Sequence, residues 1–270
     1  MSQAATRSAA TVRDVRGAEE LRACQELQRR AWGITEDGYV VPVATMASAQ
    51  RVGGLVLGAF DAEERLIAFA FAFLGKLNER MILWSQLTGV HPAHQSSGVG
   101  RMLKFEQRRR ARDMGLPAVA WAFDPLQASN AAFNFGVLGA TSRLYEVDLY
   151  GARSDLLNAG FATDRLIVEW TTSGDAGGHA SAWPDGLDLI TSSLDAPEIA
   201  PSISPETRHL YIEVPPRIAD LKARRNPKEA RGWQLVLRAA FQKALAAGFV
   251  AVGFTRQDPA RPRYLLERAG

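Results

Sequence analysis

The sequence predicts a mixed α/β protein of the α+β kind: a mostly antiparallel sheet flanked by helices, followed by a second, smaller α/β lobe. Three observations predict it. A strand-like run over residues 81–90 passes through a glycine-bearing loop into an amphipathic helical pattern, and a second strand-like run follows at 118–123. Two apolar runs, 52–60 and 65–73, are joined by Asp61-Ala62-Glu63-Glu64 as a hairpin would be. Late in the chain the order strand, proline, linker, helix, glycine, strand returns, from Val214-Pro215 through a helix ended by Ala247-Gly248 to Val250-Ala251-Val252-Gly253-Phe254.

Residues 1–10 are small and polar and read as a disordered tail ahead of a first domain over 11–155. Residues 11–15 form an opening strand. Residues 17–32 place Leu21, Cys24, Leu27, Gln28 and Ala31 at helical spacing until Gly33 stops them. Residues 34–43 alternate poorly and include Gly38 and Pro42, so they read as a loop. In the 65–73 strand, Phe69, Phe71 and Phe73 fall on one face with alanines opposite, a face to be buried against helices. The strand at 81–90 stops before Pro92. The helix over 100–114 then sets Met102, Leu103 and Phe105 against a polar run at 106–110, and Gly115-Leu116-Pro117 ends it. Arg108-Arg109-Arg110 with Arg112 read as a solvated surface. After the 118–123 strand, Asn130 can cap a short helix running to Leu138 and closed by Gly139, and a strand at 145–150 completes the lobe.

The second domain, 156–270, reads as a strand at 165–170, a flexible Ser/Gly segment at 173–181, and strands at 187–190 and 208–214. A Pro215-Pro216 turn, a long helix at 229–247 and strands at 249–255 and 263–267 follow. Its linker, Arg224-Arg225-Asn226-Pro227-Lys228-Glu229-Ala230-Arg231-Gly232, has one glycine and a proline without an N–H, so it cannot repeat the first loop's ring of donors.

That first loop, His91-Pro92-Ala93-His94-Gln95-Ser96-Ser97-Gly98-Val99-Gly100-Arg101-Met102-Leu103, carries the chemistry. Glycines at 98 and 100 let the backbone approach a ligand closely. At a helix N-terminus, unpaired N–H groups and the positive end of the dipole converge, a seat for a pyrophosphate. Arg101 and Lys104, in the first turns, could add positive side chains to it. The spacing is not that of the Gly-x-x-x-x-Gly-Lys-Ser/Thr loop, nor of Gly-x-Gly-x-x-Gly.

The spacing Gln95-x-x-Gly98-x-Gly100 after Leu87-x-x-Val90-x-Pro92 resembles the acyl-CoA loop of the GNAT N-acetyltransferase superfamily. The order strand, glycine loop, helix, strand, Asn, short helix, Gly, strand is also that family's order for its cofactor half. Further stretches, Trp121 to Asn130, Leu138-Gly139-Ala140, Tyr150-Gly151, Leu210 to Pro215 and Ala247-Gly248-Phe249, resemble a bacterial branch of these acetyltransferases. The resemblance implies a GNAT acyl-CoA N-acyltransferase fold with a degenerate second GNAT-like half, which would pack beside the first and wall the acceptor pocket. It implies acetyl-CoA or another acyl-CoA as acyl donor. Cofactor contacts would come from Gln95, Ser96, Ser97, Gly98, Val99, Gly100, Arg101 and Met102, from Thr88 and Val90 where the 82–90 and 118–123 strands splay at Gly89, and from Asn130, with Asn134 on the same helical face. Glu36, Asp37, Tyr39 and Val40 would be candidates for acceptor contact, the acceptor being the amine of a small molecule such as an amino acid.

Acyl transfer to an amine needs a deprotonated nucleophile, a polarised carbonyl and a proton for the leaving thiolate. A backbone N–H near Val90 would serve the carbonyl. Where the family often has a glutamate in the strand before the loop, this chain has Trp84, Ser85 and Gln86, and where it often has a tyrosine before the glycine ending the short helix, it has Phe135. Tyr145, Asp124 and His91 are the candidates left to handle protons. The alternative is an acyl-CoA-binding sensor or scaffold that performs no transfer.

Composition sets outer limits. With 270 residues, 47% hydrophobic and 23% charged, the chain has the makeup of an ordinary globular protein. No apolar stretch is long enough to span a bilayer, and no secretory leader is read at the start. The lone cysteine, Cys24, fits a cytoplasmic setting and a structural role. His91, His94, His179 and His209 show no metal-ligand spacing, so no metal is expected. A net charge of +3 without an aromatic-interleaved basic stripe argues against nucleic acid, and a homodimer is compatible with all of this.

Overall fold

The computed structural model describes residues 10–151, 160–174, 183–193, 196–200, 202–223 and 228–270. The expected tail before Ala10, the domain boundary at 155/156, the 175–181 part of the Ser/Gly segment and the 224–227 part of the second linker lie outside the described residues. The described chain forms two compact units. One runs to Trp121 and takes back Thr171–Ser173; the other contains the remainder from Ala122 onward.

The first unit holds β1 (Thr11–Asp14), α1 (Gly17–Trp32), a 3-10 turn (Asp37–Tyr39), α2 (Val43–Arg51), β2 (Leu55–Phe60), β3 (Leu66–Leu77) and β4 (Arg80–Val90). A second 3-10 turn (Pro92–His94), α3 (Val99–Asp113) and β5 (Ala118–Phe123) as far as Trp121 complete it. Strand order follows chain order, β1 to β5, antiparallel except for the parallel pair β4/β5. α2 was not foreseen: its apolar residues are mostly small, and only Met46 and Ala49 are buried along it, so the helical period is faint. Its one local signal is Pro42, whose fixed φ sits at the N-cap. The strand expected from residue 52 starts at Leu55, because Gly54 N–H closes α2 on Ala49 C=O.

The β3/β4 hairpin turns through Asn78 (φ 47°) and Glu79 (φ 63°), the pair of left-handed residues that a tight two-residue turn requires. Along β3, Phe69 and Phe71 pack with Leu21, Cys24, Leu27, Met46, Ala49 and Val56, and Phe73 lies at the margin of that cluster. Ala68, Ala70 and Ala72 on the other face are equally buried. Their small methyls leave room for α3, which packs on β2, β3 and β4. Cys24 is wholly buried and its thiol is pushed up to about 12 by that burial, the state of an inert packing thiol.

The second unit holds α4 (Ala128–Ala131), which continues into a π-helical turn (Ala132–Val137), then β6 (Thr141–Glu146), β7 (Arg165–Thr171), β8 (Leu187–Asp188), β9 (Ile190–Ser193), β10 (Ala196–Ile199) and β11 (His209–Glu213). α5 (Ile218–Ala223), α6 (Lys228–Ala246), β12 (Phe249–Thr255) and β13 (Arg263–Arg268) follow. Strand order is β7-β6-β12-β13-β11-β8, with β9/β10 a separate antiparallel pair. The core centres on the Tyr264 ring, edge-on to Phe135, Phe241 and Phe254. The strand expected at 145–150 is β6, four residues earlier and part of the second unit, because the chain turns at Asp148 (φ 50°), whose carboxylate accepts from Thr163 N–H. The repeat of strand, helix and strand has a different topology here: β13 lies between β11 and β12, so these two strands are not neighbours as β4 and β5 are. No helix among the described residues is long and apolar enough to cross a membrane.

Candidate functional site

β4 changes character halfway along. Its parallel pairing with β5 covers only Leu83↔Val119 and Trp84↔Ala120, and beyond Trp84 no β5 partner occurs among the described residues. On its other edge, β4 pairs with β3 throughout, with a bulge at Gln86 between Ser85↔Ala72 and Leu87↔Phe71. The strands therefore part after Trp84, not at Gly89. Gly89 stays paired with Phe69, and what makes it a glycine is crowding: a Cβ there would lie 2.9 Å from the Phe69 ring and 3.1 Å from Trp32. The freed edge of β4, Ser85 to Val90, is a row of main-chain groups able to accept an extended ligand as an added strand.

The loop that follows is held at its start. His91 N–H donates to Ile67 C=O at 2.9 Å, and His91 Nδ1 accepts Ala93 N–H at 3.3 Å to cap the 3-10 turn. Gln95 and Ser97 N–H make long bonds of 3.4 Å to Pro92 and His94 C=O, and Met102 N–H is already in the helical ladder on Gly98 C=O. The N–H groups of Ser96, Gly98, Val99, Gly100 and Arg101 have no hydrogen-bond partner among the described residues. Ser96 (φ 62°) and Gly98 (φ 91°) are left-handed, which curls this backbone into the start of α3. Five unpartnered amides and a helix N-terminus therefore lie together on a mostly exposed loop, a set of donors able to take an anion. A Cβ at Gly100 would touch Val90 Cγ2 at 3.4 Å, so α3 starts against the end of β4.

Arg101 is exposed beside the seat, its guanidinium 5.1 Å from the Phe105 ring centroid. Lys104 is not beside it. The side chain turns inward and its Nζ donates to Ser85 Oγ at 2.8 Å, 3.8 Å from the Trp121 ring centroid. Ser85 Oγ in turn donates to Gln107 Oε1 at 2.9 Å. Lys104 is 5% exposed, and burial lowers its ammonium to about 7. Gln107 Nε2 and Thr88 Oγ1 are buried without a hydrogen-bond partner among the described residues. Thr88 pairs with Ala70 and so shares the α3-facing side of β4 with Ser85 and Val90.

The depressed Lys104 has a consequence for stability. Between about pH 7 and the ordinary lysine value, the unfolded chain binds this proton and the folded chain does not, so stability rises with pH across that window. Lys104→Met keeps the volume and removes the titration. The variant is expected to exceed the wild type in unfolding free energy at pH 7, and the gap should shrink on the way to pH 10, at about 1.4 kcal/mol per pH unit at most. Urea unfolding at several pH values checks it; a gap that does not change with pH contradicts it.

Arg108 also departs from the expected solvated run: it is buried and donates to Thr171 and Ser173 C=O at 2.8 and 3.2 Å. Arg109 and Arg110 pair with Glu106, and with Asp113 and Asp14 respectively. In the region after α1, Asp37 pairs with Arg29 and Val40 is buried, while Glu36, Asp37 and Tyr39 lie at the 3-10 turn.

In the second unit, Asn130 sits inside α4 and is exposed, and Gln127, not Asn130, occupies the N-cap position. The π-helical turn takes Asn134 off the expected shared face; it is buried, and its C=O accepts Ala140 N–H. Asp124 Oδ1 accepts Leu126 N–H at 3.0 Å, and Oδ2 lies 3.5 Å from Lys222 Nζ, so the carboxylate caps a turn and faces a cation. Tyr145 donates its hydroxyl to Asp164 Oδ2 at 2.8 Å, and Arg238 clamps the same carboxylate at 2.8 and 2.9 Å. Burial first, then the Asp164 charge, raises the Tyr145 phenol well above its ordinary value. These contacts make Tyr145 a structural donor. Tyr145→Phe should lower stability by about 1–2 kcal/mol, read from the urea midpoint; an unchanged midpoint contradicts that role.

No family model matches the chain, and no curated protein matches it. Solved structures do. The ribosomal-protein-S18-alanine N-acetyltransferase from Escherichia coli is 16% identical, covering 66% of this chain and 100% of its own, at a TM-score of 0.48. A GNAT superfamily phosphinothricin acetyltransferase from Sinorhizobium meliloti, in complex with AcCoA, is 19% identical, covering 65% of this chain and 93% of its own, at 0.48. An N-acetyltransferase from Staphylococcus aureus Mu50 is 14% identical, covering 62% of this chain and 100% of its own, at 0.46. All three are acetyltransferases.

Proposed function

We propose that the chain is a GNAT-type N-acyltransferase that moves an acetyl or similar acyl group from acyl-CoA to the amine of a small molecule such as an amino acid. The observation that carries the reading is the set of free amides at Ser96, Gly98, Val99, Gly100 and Arg101, set directly beyond the unpaired edge of β4. A diphosphate at those amides and a pantetheine arm along Ser85–Val90 is the arrangement a coenzyme A thioester needs, since both ends of one elongated ligand are then met by main-chain donors and acceptors. Cofactor contacts are assigned to Thr88, Val90, Gln95, Ser96, Ser97, Gly98, Val99, Gly100, Arg101 and Met102, the side chain of Gln95 adding to the free amides while Ser97 Oγ donates to His94 C=O and steadies the loop.

In the reaction, the amine nitrogen attacks the thioester carbonyl, the C–S bond breaks, and the thiolate leaves as the free thiol. In this reading main-chain N–H groups on the open edge of β4 polarise the carbonyl, and holding amine and thioester together supplies a large part of the rate. The test is release of free thiol from acetyl-CoA in the presence of a panel of amino acids and small amines. Thiol release that depends on an amine supports transfer. CoA binding with no amine-dependent release supports the alternative, an acyl-CoA sensor or scaffold, which is favoured by one observation: Trp84, Ser85 and Gln86 leave the β4 bulge without a carboxylate.

A further inference from the structure

We propose that Ser85 and Lys104 form the proton-accepting pair of the transfer, Ser85 as the relay and Lys104 as the positioned base behind it. The inference rests on the acyltransferase reading and deepens it by supplying the proton acceptor.

A lysine ammonium buried without a counter-ion is costly, and a chain that needs only volume at such a place can use methionine or leucine. Lys104 meets no carboxylate among the described residues. The charged groups on its own helix are engaged elsewhere: Glu106, Arg109, Arg110 and Asp113 among themselves and with Asp14, and Arg108 on carbonyls. Arg101 and Arg112 on the same helix are exposed. From the strands that α3 packs against, Arg13 pairs with Glu20 and Glu64, Lys76 with Glu79, and Arg80 is exposed; β2 and β5 carry no charge. Burial is the sole cause of the shift at Lys104, so the neutral amine is available near pH 7.

The hydrogen bonds agree with a base. With Lys104 charged, Ser85 accepts from Nζ and donates to Gln107 Oε1, and Gln107 Nε2 is left unpaired. With Lys104 neutral and the Gln107 amide turned end for end, Gln107 donates to Ser85 and Ser85 donates to the lone pair of Nζ. The hydroxyl then points its proton at the base. Ser85 is the first residue of β4 past its last pair with β5, so its main chain begins the open edge while its side chain and Lys104 lie buried on the α3-facing side just behind it. As the substrate ammonium loses a proton to Ser85 Oγ, the Ser85 proton passes to Nζ, giving Lys104 ammonium and a free amine. The amine forms the N–C bond, the C–S bond breaks, and the proton of the tetrahedral nitrogen goes to the departing thiolate. Lys104 returns its proton to solvent.

Two measurements test the pair. First, the Lys104 Nζ titration is followed by NMR in the unliganded protein with isotopically labelled lysine; a midpoint near 7 is expected, and one near the ordinary lysine value overturns the proposal. Second, the pH profile of amine-dependent thiol release from acetyl-CoA is compared for wild type, Lys104→Met, Lys104→Arg and Ser85→Ala. The wild-type rate should rise with pH through about 7. The three variants should lose that ionisation and at least about 100-fold in kcat at pH 7, while the Kd for CoA stays within about twofold. A Lys104→Met enzyme that retains the ionisation and the rate overturns the proposal and leaves the acyltransferase reading intact. A wild-type protein that neither binds CoA nor releases thiol overturns the reading itself.

Discussion

Gly98→Val is expected to weaken CoA binding by about 10- to 100-fold while the protein remains folded. Gly98 sits at φ 91°, where a β-branched side chain is strongly disfavoured, so the backbone must rotate toward ordinary values. That rotation re-aims the amides of Gly98 and Val99 relative to those of Gly100 and Arg101. Loss of one charge-assisted hydrogen bond to a phosphate removes roughly 1.5–3 kcal/mol, which sets the size of the effect. Nothing lies within 4 Å of a Cβ built at this position, so the loop has space for the side chain and the penalty falls on backbone geometry alone. Calorimetric titration with CoA, beside circular dichroism of the free variant, checks it. Unchanged affinity would make this loop an ordinary turn.

The second large effect lies away from the loop. Asp164→Ala is expected to cost about 3–5 kcal/mol of unfolding free energy, because Arg238 then remains part-buried without its carboxylate. Asp164 is 2% exposed and also accepts from Tyr145 and from Asp148 N–H, so three donors lose their partner at once. Deletion of the whole set should cost less than its parts suggest: Tyr145→Phe together with Asp164→Ala and Arg238→Met removes both side-chain donors along with their acceptor and leaves only Asp148 N–H without its partner. Urea unfolding of the single and triple variants gives the comparison. A single variant as stable as the wild type contradicts the account of Tyr145 and Asp164 as a structural pair.

Much of the fold was legible because its signals are local. The alternation of Phe69, Phe71 and Phe73, the amphipathic period of α3, and the glycines that close helices at 33 and 139 each report their own backbone state. The loop at 95–102 belongs to the same class, since its geometry follows from glycine and from a helix beginning there. What was not legible depended on neighbours distant in sequence. Lys104 reads as a surface cation on a polar helix, and only the register of α3 against Ser85 and Trp121 shows that it points inward. Tyr145 reads as a free hydroxyl until Asp164, nineteen residues on, is placed against it. Gly89 reads as a strand breaker, whereas it is a residue with no room for a side chain beside Phe69 and Trp32. The parting of β4 from β5 at Trp84 is a property of two strands and has no mark on either alone.

The proposal that the loop at 95–102 seats a pyrophosphate is tested most directly by a crystal structure with CoA bound. The diphosphate oxygens should lie within hydrogen-bond distance of the main-chain N–H groups of Gly98, Val99, Gly100 and Arg101, with the pantetheine arm running along the open edge of β4. Density for the coenzyme at any other place, with these amides turned onto partners within the protein, would contradict it.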